Sequence, residues 1–459
     1  LLWSFGAGGD GGFPGSAGVI TDASGNLYGT TAQGGANSQG IAFELTPPSK
    51  GQSQWGEKVL WNFGAGSDGR ALKGGVIADA SNNLYGTTDQ GGTNGQGTVF
   101  ELTPRSSGRG QWNEQILWNF GGGDGQNPEA SLLADASGNL YGTTNAGGRN
   151  GQGTVFELTP PSSVRSQWSE KVLWSFGGRD GQGPEAGLIA DHGGNLYGTT
   201  TAGGTRGQGT VFQLTPPNNG QTQWKETVLW NFGAGGDGQN PEAGLIVDAR
   251  GNLYGTTNAG GRNGQGAVFE LTPPMSGQTQ WKERVLWNFG AGGDGRLPQG
   301  SLIAGASGDL YGTTYAGGAN ALGAVFVLTP PAGGHNEWSE SLLLNLGAGN
   351  DGQAPKSGLI ADASGNLYGT TDAGGANGSG TVFKVGTGAT FQSPVPTVTP
   401  TATATATPTE TPTASGTETP QASPTPTSTA TATQTATPTS SPTPRPKPHR
   451  RRRRRPHHR

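Results

Sequence analysis

The chain has 459 residues, of which 87 are glycine, 31% are apolar, 13% are charged and none is cysteine, with a formal charge of −4. This composition excludes disulfide staples, thiolate metal sites and cysteine nucleophiles, and no stretch is long and apolar enough to span a bilayer as a helix. Nine of the 28 basic residues lie in the last fifteen positions, leaving 30 acidic and 19 basic residues in 1–386, a formal −11, so an acidic body carries a basic tail.

Residues 1–5, Leu-Leu-Trp-Ser-Phe, form a strand-like run with nothing before it. Leu1 is not an initiator methionine, so the chain reads as a mature form or a fragment. The phrase Asn-Leu-Tyr-Gly-Thr-Thr then recurs, with small variations, around Tyr28, Tyr85, Tyr141, Tyr197, Tyr254, Tyr311 and Tyr368, at steps of 57, 56, 56, 57, 57 and 57 residues. A period held that closely makes each copy one supersecondary unit that buries its apolar face against its neighbours.

The copy spanning 187–232 shows four strand-like runs. The first covers about 187–190 and the second 195–200, joined by the hairpin turn Asp-His-Gly-Gly. The third, 209–215, is stopped by Pro216 and Pro217, which lack the amide a ladder needs. The fourth runs from Trp224 to Phe232, and strict alternation would put Trp224, Glu226, Val228, Trp230 and Phe232 on one side. Four antiparallel strands per 57 residues are what a β-propeller blade requires. The last copy stops after its third strand, so residues 1–5 are expected to supply the fourth strand of the seventh blade and close the ring. The expected architecture is therefore all-β, a seven-bladed propeller over 1–386, with an open β-solenoid as the rival.

The phrases G-N-L-Y-G-T-T, A-G-G-x-N-G-Q-G-T-V-F-E-L-T-P and V-L-W-N-F-G, present along residues 1–386, resemble the GloVer-type tandem repeat of bacterial proteins that pair it with differing C-terminal anchors. The resemblance implies an exported or surface-attached protein. It brings no catalytic residue set and no substrate.

Two aspartate series recur. Asp10, Asp68, Asp124, Asp180, Asp237, Asp294 and Asp351 lie between the fourth strand and the next first strand. A sevenfold carboxylate ring there would take calcium or a cationic ligand; an Asp-Gly turn that caps backbone amides explains the same residues and is the favoured reading. Glu129, Glu185 and Glu242 follow a proline in three of these connections. The second series, Asp22, Asp79, Asp135, Asp191, Asp248 and Asp362, belongs to the hairpin turn, with Gly305 in the remaining copy. Twelve tryptophans form two series, one in the Leu-Trp phrase, read chiefly as packing between blades, and one opening the fourth strand, read equally as packing or as sugar stacking. The Asn-Gly-Gln-Gly loops, represented by Asn150, Gln152, Asn263 and Gln265, offer amides suited to carbohydrate hydroxyls and are equally good turns. His192 and His335 have no repeated partner, and no metal-spaced histidine cluster or nucleophile elbow occurs.

Residues 387–444 are dominated by Thr, Pro, Ala and Ser and read as an extended, disordered stalk open to O-glycosylation. Residues 445–459, with Arg450, Arg451, Arg452, Arg453, Arg454 and Arg455, form a polycation suited to anionic envelope polymers or lipid headgroups; sequence-specific nucleic-acid recognition is not expected.

The reading these features favour is a noncatalytic, extracellular or cell-surface repeat protein used for adhesion or recognition, with a glycan or a surface protein bound through the propeller loops. The alternatives are a carbohydrate-active lyase or hydrolase on the same scaffold and a purely structural envelope component. Recognition would use equivalent sites in several blades, an enzyme a single polar cluster from dissimilar loops, and a structural component neither. No cofactor beyond calcium is implied.

Overall fold

The computed structural model describes residues 1–105, 112–162, 164–218, 221–332 and 337–391, all within the first of two compact units, 1–403; the stalk beyond 391 and the basic tail lie outside the described residues. Among the described residues there is no helix. Seven four-stranded antiparallel sheets follow one another as the blades of a propeller.

In the fourth blade the strands are Ile189–Ala190, Leu196–Thr200, Thr210–Thr215 and Lys225–Asn231, hydrogen-bonded in chain order from the innermost to the outermost. The seventh blade is closed by the N-terminus: Trp3–Ser4 pairs with Thr381–Gly386, with Trp3 opposite Val382 and Ser4 opposite Thr381. The Leu2 and Phe5 amides extend the pairing to the carbonyls of Val382 and Gly380, at 2.8 and 3.0 Å. Both open edges are thereby satisfied.

Alternation fails in the outermost strand. Val211 pairs with Trp230, but Phe212 pairs with Val228, which leaves Leu229 as a bulge. Glu226 and Val228 therefore face one side of the blade, whereas Trp230 and Phe232 turn to the other. Leu229 is buried as well. The bulge turns Trp230 and Phe232 toward the fifth blade while Val228 stays opposite Phe212.

Apolar layers between neighbouring blades make up the core. Trp174 and Phe176 of the third blade pack with Leu196, Phe212, Leu214 and Trp224 of the fourth, so both tryptophan series serve interblade packing. Tilted or edge-on phenylalanine pairs with ring centroids 4.8–5.1 Å apart recur at six interfaces, and at the seventh Leu346 takes the place of the first ring. The glycine of Leu-Tyr-Gly-Thr-Thr makes room for the second ring: a Cβ on Gly198 would lie 2.6 Å from Phe212 Cζ.

The hairpin aspartates are structural locks. Asp191 Oδ1 accepts from the Gly193 and Asn195 amides, at 2.8 and 3.0 Å. Its Oδ2 accepts from Asn195 Nδ2 and the Tyr197 hydroxyl, at 2.8 and 2.9 Å. Where glycine replaces this aspartate, the segment after the seventh blade covers the turn. The Ala306 amide donates to the Thr390 carbonyl at 2.9 Å, Gly305 bridges Phe391, and Phe391 packs on Tyr311 at 5.1 Å. Residues 387–391 are thus seated on the propeller, on the face of the hairpin turns.

Candidate ligand site at the channel mouth

The opposite face carries the connections from outermost to innermost strand and the loops after the second strand, joined by short bridges such as Gly238–Gln239 with Ala259–Gly260. The first aspartate series sits in these connections, against its own blade's outermost strand. Each Oδ1 accepts a glycine amide at 2.8–3.0 Å. In six copies Oδ2 accepts the indole N–H of the Leu-Trp tryptophan at 2.9–3.4 Å; Leu344 removes that donor from Asp351. Asp10, Asp68, Asp237 and Asp294 are buried, and burial raises their carboxyls above the usual range. Asp124 and Asp180 make the same two contacts while partly exposed. The Asn150 and Asn263 amides donate at 3.0 Å to the carbonyls of Phe176 and Phe289, fastening each loop to the end of the outermost strand. Gln152 and Gln265 accept from the Gly183 and Leu297 amides through their backbone carbonyls, at 3.0 and 2.8 Å.

Beside each aspartate up to Asp294 stands a glutamate of the following blade, a series that alternation alone does not single out. Glu57, Glu114, Glu170, Glu226, Glu283 and Glu340 each keep a buried Oε1 with no hydrogen-bond partner. Burial, followed by the charge of the neighbouring aspartate, pushes five of them to about 7 and Glu170 to about 8. Trp230, Asp237 and Glu283 line one such cleft between the fourth and fifth blades.

The mouth of the channel is built differently. Each connection turns inward through a residue with a left-handed backbone: Phe13, Ala71, Asn127, Gly183, Asn240, Leu297 and Ala354, with φ of 55–64°. Six are not glycine, so the turn holds strain that the surrounding fold must impose. The carbonyl of each accepts the amide of the residue after a second strand, as Asn240 accepts Asn258 at 3.0 Å. Two residues further along come the positions that face the axis: Gly15, Lys73, Glu129, Glu185, Glu242, Gln299 and Lys356. The residues after the second strands, Ala32, Asp89, Asn145, Thr201, Asn258, Tyr315 and Asp372, complete the ring. The first threonine of each of six second strands holds the next blade here: Thr199 Oγ1 donates to the Ala243 carbonyl at 3.0 Å, and the other five bonds span 2.9–3.3 Å.

Side chains of different blades meet at this ring. Lys73 Nζ lies 2.9 Å from Glu129 and 3.3 Å from Asp89. Burial alone would lower the lysine, but the hydrogen bonds and charges of these two carboxylates outweigh it and hold Lys73 protonated. Asn145 Nδ2 donates to Glu129 at 3.1 Å. Glu242 accepts from Asn258 Nδ2 at 2.7 Å and Gln299 Nε2 at 2.9 Å. Lys356 Nζ pairs with Asp372 at 2.8 Å and lies 5.6 Å from the centre of the Tyr315 ring. Glu185 has no hydrogen-bond partner among the described residues; burial, then the charges of Glu129 and Glu242, push it to about 7 against the opposing charge of Lys73. Burial likewise raises Glu242, although its two amide donors and the charge of Lys356 act the other way. Glu185 therefore senses groups on the second, third and fifth blades, and Glu242 one on the seventh.

Chemically, the ring offers carboxylates, amide oxygens and two ion-paired ammonium groups. Among the described residues no group of three or more Asp, Glu or His is arranged to hold a metal ion. Glu129, Glu185 and Glu242 stand out in the sequence as a repeated Pro-Glu pair; Gln299 and Lys356, which also follow a proline, and Lys73, which follows Leu72, emerge only when the copies are aligned and this column varies.

Fold and site together define a seven-bladed β-propeller whose blades repeat at the rim and differ at the axis. The model of the Gloeobacter/Verrucomicrobia repeat matches residues 13–233, 109–326 and 221–419, and the chain belongs to that family. No curated protein matches it. Among solved structures it is similar to the extracellular domain of a one-component system from B. thetaiotaomicron, with 13% identity, a TM-score of 0.49 and coverage of 84% of this chain and 41% of that one. It is also similar to a luciferin-regenerating enzyme, with 15% identity, a TM-score of 0.41 and coverage of 70% of this chain and 93% of that one. The chain thus spans about two fifths of the length of the first. Among the described residues no helix is long and apolar enough to cross a membrane, which says nothing of a β-barrel.

Proposed function

We propose that the protein is a noncatalytic recognition propeller of the cell exterior, displayed on its stalk, that binds a polar ligand such as a glycan at the mouth of the channel. One observation carries this reading. All seven second strands read Leu-Tyr-Gly-Thr-Thr, yet the axial positions they support are occupied by Gly, Lys, Glu, Glu, Glu, Gln and Lys. A scaffold that only needed to stand would have no use for four residue types across seven equivalent positions. The packed segment 387–391 lies on the other face, with the hairpin turns.

A single mouth of unlike residues is also the arrangement expected of the enzyme alternative, and Glu185, poised near neutral pH, suits a general acid. Against that reading, both lysines are tied up in ion pairs and His192 is exposed in a hairpin turn on the opposite face. The test is a glycan-array screen of the full chain, with and without calcium, followed by stoichiometry and product analysis on each hit. One non-turned-over glycan per chain supports recognition at the mouth; cleavage of the hit transfers the site to the enzyme reading, and silence across the array removes glycan recognition.

A further inference from the structure

The unsatisfied groups of the mouth are all acceptors. Glu242 takes the amide nitrogens of both Asn258 and Gln299, which fixes the orientation of these amides and turns their oxygens away from it. Asn258 Oδ1 and Gln299 Oε1 are buried with no donor in the protein. Asp89 is only 3% exposed; its Oδ2 faces Lys73, and its Oδ1 has no partner. Glu185 adds a carboxylate with no hydrogen bond, flanked by Glu129 and Glu242. Buried acceptors of this kind call for a donor, since each unmade bond costs roughly 1–3 kcal/mol.

The electrostatics select the donor's charge. Around the ring Asp89, Glu129, Glu185, Glu242 and Asp372 face only Lys73 and Lys356, and both lysines are already paired. An anion would meet an excess of carboxylates. Among the described residues no group of three or more Asp, Glu or His is arranged to coordinate a divalent metal. A quaternary ammonium has no N–H to give, and Tyr315, the one aromatic of the ring, is already covered by Lys356. The group that answers both the charge and the acceptors is an ammonium carrying N–H donors.

We infer that the mouth of the channel binds a primary ammonium group, drawn by the excess of carboxylates around the ring and met by acceptors that the protein's own donors leave free. This inference rests on the recognition reading and names its ligand class. Two sources carry the chemistry, an amino sugar and a polyamine, and they are separable in solution.

The experiment is calorimetric titration of the full-length protein with an oligosaccharide of glucosamine, the same oligosaccharide fully N-acetylated, and spermidine. Acetylation removes the charge and leaves the sugar backbone in place. Binding of the glucosamine oligomer with at least tenfold preference over the acetylated one, lost in Glu185→Gln and weakened in Asp89→Asn, is the expected result. Binding of spermidine alone, with the same sensitivity, keeps the ammonium and replaces the sugar. Equal binding of both oligosaccharides, preference for the acetylated one, or binding of none of the three overturns the inference; recognition itself falls only with silence across the glycan array. Glu185→Gln keeps the shape of the side chain and removes no hydrogen bond, and unchanged melting separates loss of binding from loss of fold.

Burial and the neighbouring carboxylates hold a proton on Glu185 that an ammonium would displace. For spermidine, whose alkyl amines stay protonated across this range, binding should therefore strengthen from pH 5.5 to pH 8. Glu129 and Glu242 repel the negative charge that Glu185 gains on ionising, while Lys73 attracts it. An anionic or neutral ligand at this site would show the opposite trend or none.

Discussion

The rim and the mouth of this propeller use the same residue types to different ends. At the rim, each first-series aspartate up to Asp294 is matched by a glutamate of the next blade, set among bulge, tryptophan and phenylalanine that recur with few exceptions. At the mouth, equivalent positions diverge into lysine, glutamate, glutamine and glycine. A repeated carboxylate whose oxygens are filled by its own turn and indole is there to hold a blade. Divergence on a scaffold whose hydrogen bonds are otherwise copied from blade to blade marks the place where the chain needs asymmetry.

That contrast can be broken from either side. The largest effect is expected from the packed rings: Phe212→Ala, or Phe5→Ala at the closing strand, should cost about 3–5 kcal/mol in urea denaturation, because each empties a fully buried interblade site. A loss below about 1 kcal/mol for Phe5→Ala would mean that the N-terminal strand does not close the ring.

Next come the six rim glutamates. Their folded pKa is raised from the usual 4.5 to about 7 or 8, so the folded protein holds these protons more firmly than the unfolded chain. The contribution is complete below pH 4.5 and is lost as pH rises through 7, where each site must accept a charge beside an aspartate. Melting should occur at higher temperature at pH 5 than at pH 8, and the sixfold Glu→Gln variant should narrow the gap by gaining stability at pH 8. An unchanged gap would show that these carboxyls ionise freely.

A smaller effect is expected from a single rim cap. Asp180→Ala removes the acceptor for the Gly177 amide and the Trp174 indole and should cost about 1–3 kcal/mol, with no change in ligand binding. Glu185→Gln should show the reverse pattern, with melting held or slightly raised at pH 8 and binding lost. If Asp180→Ala weakens binding as much as Glu185→Gln does, the division between rim and mouth fails. Smallest in its effect on the fold is removal of 445–459, which should leave melting unchanged while abolishing salt-sensitive retention on anionic surfaces. Retention that persists and ignores salt would eliminate the electrostatic anchor.

Much of the fold could be read from the chain. The 57-residue period, the proline stop after the third strand and the orphan strand at 1–5 lead directly to seven blades and an overlapping closure. The bulge at Leu229 escaped because an inserted residue leaves no mark within an unbroken apolar run such as Val228, Leu229 and Trp230. The turn residues at the mouth escaped for another reason: Phe13, Ala71 and Leu297 give no hint of a left-handed backbone, which the bonds to the neighbouring second strand impose. The hairpin glycine, Gly305, reads as a tolerated loss, whereas the chain's own segment at 387–391 takes over the work of the missing aspartate. The axial ring was legible only as the column in which aligned repeats disagree, a signal that attention to sameness passes over.

The most direct test of the central claim is the stoichiometry of a bound ligand, measured by calorimetry on the full chain with any glycan the array returns. Recognition at the mouth predicts one site per chain, lost in Glu185→Gln and indifferent to Asp180→Ala. Six or seven equivalent sites, sensitive to the rim aspartates and indifferent to Glu185, would contradict it and return recognition to the repeated loops.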